Sequence, residues 1–253
     1  MIILKDFSIG YGKNLLIEGV NTEFKNGTLI SLLGRNGTGK STLLKAIAGL
    51  NPDYAGEILI HGKNLRGISK SVLAKEIAFV TTRRPRISNL SCRDIVSLGR
   101  SPYTDWVGRL TEKDRHMVDE ALSAVDMLSF AERSIDSLSD GEAQRIMIAR
   151  AIAQATPVII LDEPTSFLDL PTRFDVVELL RKLSKEEGKC ILFSTHELDI
   201  ALEISDEIAL IDKRSLYHLP VDEMIEKQYL QHLFKTSGNF IERMINLLKE
   251  SRK

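Results

Sequence analysis

The sequence predicts an α/β fold on a largely parallel sheet, and two observations carry that prediction. Short apolar runs of β-forming residues alternate with segments of helical pattern along most of the chain. One run, Thr28 to Leu33, passes through a glycine-rich loop into a helical pattern, Ser41 to Leu50, the strand–loop–helix order of a phosphate-binding unit. In chain order, the candidate strands are Ile2 to Ile9, Leu15 to Phe24, Thr28 to Leu33, Glu57 to Ile60, Ile77 to Thr81, Val158 to Asp162, Cys190 to Thr195 and Glu207 to Ile211. The first two and the Glu57 strand are bounded by Gly10-Tyr11-Gly12, Asn26-Gly27 and His61-Gly62, so they are expected as an antiparallel layer beside the parallel core. Ser69 to Glu76 reads as a helix ahead of the Ile77 strand.

From Ser91 to about Ser137 the texture changes. Met117, Val118, Ala121, Leu122 and Val125 recur at helical spacing, giving a helix with one apolar face. Together with a helix over Ala143 to Gln154, this predicts a helical subdomain, about residues 91–154, inserted in the α/β core. Beyond Pro220 the tail, about 221–253, reads as helical and then mixed, and its charged end, Lys249 to Lys253, is expected to be frayed. The whole, 1–253, is expected to be a single domain.

Composition narrows the function class. The 253 residues are enough for a substantial core, and 43% hydrophobic with 27% charged residues is ordinary for a globular chain. A formal charge of −1 leaves no electrostatic footprint for nucleic acid. Only Ile2, Ile3 and Leu4 precede Lys5 and Asp6, so no leader is expected, and no apolar run approaches the ~20 residues of a membrane span. Cys92 and Cys190 stand far apart with no C-x-x-C pair, and the five histidines show no zinc spacing, so reduced thiols in a cytoplasmic protein are expected.

Gly34-Arg35-Asn36-Gly37-Thr38-Gly39-Lys40-Ser41 fits G-x-x-x-x-G-K-[ST] at every fixed position. Such a loop wraps phosphates with backbone N–H groups, which side chains at the glycine positions would block. The helix that follows aims its positive end at the same anion. Lys40 is expected on the β- and γ-phosphates and the Ser41 hydroxyl on Mg²⁺. The expected nucleotide contacts run from Gly34 to Thr42, and the sequence implies a bound nucleoside triphosphate.

Val158 to Glu163 is a buried strand ending in two carboxylates. Asp162 would orient the water shell of a phosphate-bound Mg²⁺, and Glu163 would polarise a water in line with the γ-phosphorus. The Glu163 carboxylate oxygens accept that hydrogen bond. Read alone, Ser139-Asp140-Gly141-Glu142 is a capping box at a helix start. Gly141 in the first turn is poor helix chemistry unless something must come close, and the helix start is a second positively polarised terminus. Ile191 to His196 is a further buried strand, ending in a histidine at the edge where open α/β sheets hold ligands. Tyr11, in its glycine-flanked turn, offers a ring to a base.

Taken together these residues resemble the ATP-binding subunit of an ABC transporter over nearly the whole chain. Gly34 to Ser41 is similar to the Walker A loop, Val158 to Glu163 to Walker B, and Leu138-Ser139-Asp140-Gly141-Glu142 to a variant LSGGQ signature. Ser166-Phe167-Leu168-Asp169 resembles the D-loop, His196 the switch histidine and Tyr11 the adenine-stacking aromatic. The resemblance implies an ABC-type P-loop NTPase core and a homodimer with two ATP molecules at its interface. Each ATP would lie on Walker A of one chain and on Ser139, Gly141 and Glu142 of the other. The signature helix then stabilises transition-state charge as an arginine finger does elsewhere. Hydrolysis would use Glu163 and His196.

Two positions depart from that pattern. Thr82 stands where the family has a glutamine, with less reach toward a metal, and Glu142 replaces the last signature residue and adds a negative charge. Ser97 to Tyr103, with Gly99-Arg100-Ser101-Pro102-Tyr103, resembles ATPases serving importers of iron–siderophore, haem and cobalamin type. Read alone, it is a loop after a helix ending at Gly99, with the proline blocking continuation. The resemblance implies separate integral-membrane permease subunits, indirectly a substrate-binding protein, and a position on the inner face of the cell membrane through the permease. Arg83-Arg84-Pro85-Arg86 reads as a solvated loop or as a permease contact. The alternatives are an ABC ATPase outside transport and an ATP-dependent regulatory clamp with little turnover.

Overall fold

The computed structural model describes residues 1–12, 14–81, 89–166 and 168–230. The readings of Thr82, of Arg83 to Arg86, of Phe167 and of the tail beyond residue 230 lie outside them.

Two sheets form the α/β architecture. The smaller is antiparallel, in order β2-β1-β4-β5, from β1 (Ile2–Tyr11), β2 (Asn14–Phe24), β4 (Tyr54–Ile60) and the two-residue β5 (Lys63–Asn64). The larger contains β3 (Leu29–Gly34), β6 (Ile77–Val80), β7 (Val158–Leu161), β8 (Cys190–Ser194), β9 (Glu207–Asp212) and β10 (Ser215–Pro220), in order β10-β9-β3-β8-β7-β6. All its pairings are parallel except β9 with β10. The antiparallel layer expected from the turn residues is present. The sequence reading lacked β5 and β10: one is only a single pair of residues, and the other is only half-buried and carries no apolar run.

The β3, β7 and β8 strands are buried along their length because both faces of the large sheet are covered. Alternate residues enter different cores. Ile30, Leu32, Val158, Ile160, Cys190 and Leu192 pack in one cluster with α1 (Lys40–Ile47) and the antiparallel sheet, and Leu73 of α2 (Lys70–Glu76) packs against it. Leu29, Ile159, Leu161, Ile191 and Phe193 pack with helices on the opposite face: α3 (Cys92–Ser97), α4 (Glu112–Ala124), α5 (Asp140–Ala153), α6 (Leu170–Glu187) and α7 (Leu198–Ile204). A third cluster closes β9 and β10 under α8 (Val221–Glu226). Burying one such aliphatic side chain contributes about 1.5–3 kcal/mol, so a polar substitution inside β7 or β8 would expose the site strands to collapse.

Of the expected apolar face, Val118, Ala121, Leu122 and Val125 are buried and Met117 is half-buried. The loop expected at Gly99 is not formed. The chain runs from α3 into a 3₁₀ stretch, Leu98–Tyr103, that contains Pro102. Gly99 serves close approach: a Cβ there would lie 2.3 Å from the Arg150 carbonyl oxygen of α5. Its neighbour Arg100 is buried, pairs with Asp114 at 2.9 Å and donates to Ala153 O at 2.8 Å, binding the end of α5 to α4. At the same end Gln154 donates to Ala74 O and Ile77 O, and Arg150 to Phe79 O, so α5 is fixed to the edge strand β6.

Candidate functional site

Three parallel strands, β3, β8 and β7, end on one edge, and the described chemistry-bearing residues follow them in sequence. Strand order puts β8 between β3 and β7, so the glycine loop after β3 faces the acidic turn after β7 across the end of β8. The register aligns Leu161 with Phe193, and Leu32 with Ser194. Asp162 and Ser194 therefore emerge together.

The loop turns into α1 through Gly39, which occupies the N-cap position with φ 105° and ψ 12°. That conformation suits glycine, and a Cβ would also press Leu16 at 3.1 Å. No side chain caps α1 and no acid stands in its first turn, so its first amides are left for an anion. Lys40 is buried, and its Nζ donates to Gly34 O at 2.8 Å and to Arg35 O at 3.4 Å. Burial pushes its pKa down, while the Glu163 and Asp162 carboxylates pull it back up. Thr38 Oγ1 donates to Arg35 O at 2.8 Å and tightens the loop, while Arg35, Asn36 and Gly37 are exposed. Tyr11, at the end of β1, is 66% exposed, and its hydroxyl lies 3.1 Å from Thr42 Oγ1 on α1. The ring thus stands open beside the loop.

Asp162 is buried, and its Oδ1 accepts from Ser41 Oγ at 2.9 Å and Ser194 Oγ at 2.8 Å. An aspartate carboxylate beside a serine hydroxyl is an oxygen-only donor pair of the kind magnesium takes, with phosphates and water completing the shell. Among the described residues no group of three or more His, Cys, Asp or Glu side chains gathers to form an all-protein metal cage. Glu163 has φ 51°, uncommon for a non-glycine residue, and such backbone costs about 1–3 kcal/mol where it persists. Its N–H donates to Ser194 Oγ at 2.9 Å, and its Oε2 accepts from Ser166 Oγ at 3.1 Å. These bonds hold the strained turn and present the carboxylate. His196 is exposed in the turn after β8.

The structure thus brings Tyr11, Gly34 to Thr42, Asp162 and Glu163 together, with His196 on the intervening strand's turn. Ser139, Gly141 and Glu142 stand apart. They line a cleft of about 550 Å³ with Asp140, Arg145, Leu168, Asp169 and Thr172, and no residue of the glycine loop lines it. The capping box is formed: Glu142 Oε2 accepts from Ser139 N at 2.8 Å and Ser139 Oγ at 2.7 Å. The donated Ser139 hydroxyl and amide hold the Glu142 pKa below the usual carboxylate range. Sequence reasoning missed Ser194, whose only signal was a hydroxyl closing an otherwise apolar strand. It also missed Thr165, Arg173 and Glu197, described below.

The ABC transporter family profile matches residues 17–166. An uncharacterised ABC transporter ATP-binding protein of Methanocaldococcus jannaschii is 41% identical over 228 residues, covering 90% of this chain and 79% of that protein. The iron(3+)-hydroxamate import ATP-binding protein FhuC of Bacillus subtilis is 36% identical over 209 residues, covering 83% and 78%. Among solved structures, a metal-chelate type ABC transporter in an inward-facing conformation superposes with TM-score 0.80 at 29% identity, over 92% of this chain and 88% of that one. A dimeric ATP-binding cassette in a post-hydrolysis state with ADP and Pi matches with TM-score 0.76 at 27% identity, over 87% and 99%.

Proposed function

This chain belongs to the ABC transporter family, and we propose that it is the ATP-hydrolysing subunit of an importer for an iron chelate (siderophore), haem or cobalamin. It works as a homodimer with ATP at the interface and drives a separate membrane permease from the inner face of the cell membrane. A substrate-binding protein delivers the cargo. The observation that carries the reading is the convergence of Lys40 and Ser41, after β3, with Asp162 and Glu163, after β7, across the end of the intervening strand β8. The import class is supported by the FhuC relative and by the run Gly99 to Tyr103. No helix among the described residues is long and apolar enough to cross a membrane.

The Tyr11 ring stacks on the adenine, and the amides of the loop and of α1 hold the phosphates. Lys40 exchanges its two carbonyl partners for β- and γ-phosphate oxygens. Ser41 and Asp162 would hold Mg²⁺, which neutralises charge developing on the phosphates. Glu163, held by Ser194 and Ser166, accepts the hydrogen bond of the attacking water, and His196 borders the γ-phosphate. The Ser139 end of α5 faces the nucleotide of the partner subunit, which fits a cleft with no loop residue of its own chain. Assays of steady-state phosphate release test this reading. Lys40→Ala should abolish turnover, and Glu163→Gln should lower it by about a hundredfold or more while ATP binding persists. With the permease in vesicles, uptake should require ATP and an intact Lys40. A wild-type chain that binds ATP without turning it over would instead be a regulatory clamp.

A further inference from the structure

Glu197 occupies the N-cap position of α7, yet its carboxylate does not cap that helix. It is committed elsewhere. Oε2 accepts from the Thr165 hydroxyl at 2.6 Å, and Oε1 pairs with the guanidinium of Arg173 on α6. Arg173 Nε in turn donates to Leu168 O at 2.8 Å. The Glu197 side chain is only 11% exposed, and its backbone is set by its own N–H donating to Thr195 Oγ1 at 3.0 Å. One carboxylate therefore ties together three segments: the turn carrying His196, the turn two residues past Glu163, and the Leu168–Asp169 edge of the cleft at α5.

We infer that Glu197 and Arg173 form a positioning pair that fixes the Glu163 carboxylate for hydrolysis and links its orientation to the cleft at the start of α5. The inference rests on Glu163 accepting the hydrogen bond of the attacking water. The geometry favours a glutamate over a glutamine at this place. A carboxylate takes donors on both oxygens at once, whereas a glutamine would turn an NH₂ toward either Thr165 or the Arg173 cation. Charge-assisted bonds to arginine are also stronger than neutral ones, and a pair mostly out of water is little screened by salt. The Thr165 and Ser166 hydroxyls complete the frame. Thr165 is held by Glu197, and Ser166, next in the chain, donates to Glu163 Oε2.

The test uses the full-length chain carrying Glu197→Gln, Arg173→Met, both changes, or Glu163→Gln as the reference. For Glu197→Gln and for Arg173→Met we expect kcat to fall by about tenfold, with equilibrium ATP affinity and the denaturation midpoint near wild type. The double variant should be no slower than the slower single one, since the two side chains act as a unit. If Glu197→Gln does not fold, Arg173→Met carries the same readout from a side chain a third exposed. Unchanged kcat, a kcat loss matched by lost ATP affinity and stability, or losses that multiply in the double variant would each overturn the inference. If Glu163→Gln is dead while Glu197→Gln runs at full speed, only the positioning pair is wrong. If Glu163→Gln keeps full turnover, the reading of Glu163 is wrong and the inference goes with it.

Discussion

At the scale of single residues the site divides between what is spelled in one place and what only folding assembles. Lys40 and Ser41 sit inside a contiguous motif, and Asp162 and Glu163 close a strand of unbroken apolar residues, so all four were legible in the sequence. Tyr11 was legible only as an aromatic in a turn, and its place over Thr42 comes from β1 ending beside α1. The proposed stacking can be measured. Tyr11→Ala should weaken ATP binding by about five- to a hundredfold, the span of about 1–3 kcal/mol for a base on an aromatic face. Tyr11→Phe keeps the ring and loses only the half-exposed contact to Thr42, so it should stay within about threefold, given the modest net worth of a hydrogen bond. Equal losses in both variants would assign the effect to the hydroxyl. Ser194, Thr165, Arg173 and Glu197 were not legible. Each acts on a residue far away in the chain, and the register of β7 on β8 decides which side chains meet.

Among the elements, the 3₁₀ stretch after α3 shows how a run read for its family likeness is also structural. Arg100 lies buried between Asp114 and the end of α5, and its guanidinium sits 4.1 Å from the Tyr103 ring centroid. Removing one partner of a buried pair leaves the other charge without compensation, at about 3–5 kcal/mol. Arg100→Leu should therefore lower unfolding stability by that order, read from denaturant midpoints, while Arg100→Lys, lacking the fork, recovers part of it. Acid adds a second check. The Thr111 hydroxyl, with Arg100 also donating, pulls the Asp114 pKa down to about 2. A carboxylate whose folded pKa is depressed contributes stability above its unfolded pKa, about 3.9, and loses it as pH falls toward the folded value. The advantage of wild type over Asp114→Asn should thus be constant at neutral pH and shrink between about pH 4 and 2. An advantage that does not change with pH would mean the contribution is packing. The existence of α4 was clear from its apolar spacing. The 3₁₀ stretch was not, because glycine and proline together signal a turn until the Arg150 carbonyl is known to lie against Gly99.

For the whole molecule, the decisive fact is a separation: the cleft at the start of α5 is lined by no residue of the glycine loop of the same chain. The sequence made both termini visible as anion-seeking helix starts, yet only their likeness to a family said that they act across subunits. Geometry gives that idea its physical reason, since Ser139, Gly141 and Glu142 open onto a cleft shared with Leu168, Asp169 and Thr172 rather than with Lys40. A two-fold dimer in which each chain offers its loop to the other's α5 makes two equivalent composite sites. Mixing two inactive variants distinguishes this from sites formed within one chain. Lys40→Ala removes the phosphate lysine and leaves α5 intact. Ser139→Phe blocks the start of α5 and leaves the loop intact. In a mixed dimer the intact loop of one chain meets the intact α5 of the other, so one site of two is whole. With about half the dimers mixed at equal concentrations, turnover should return to about a quarter of wild type if the sites are independent. If every site lay within a single chain, both variants would stay broken in any mixture. Phosphate release from the mixture no greater than from either variant alone would refute the composite site.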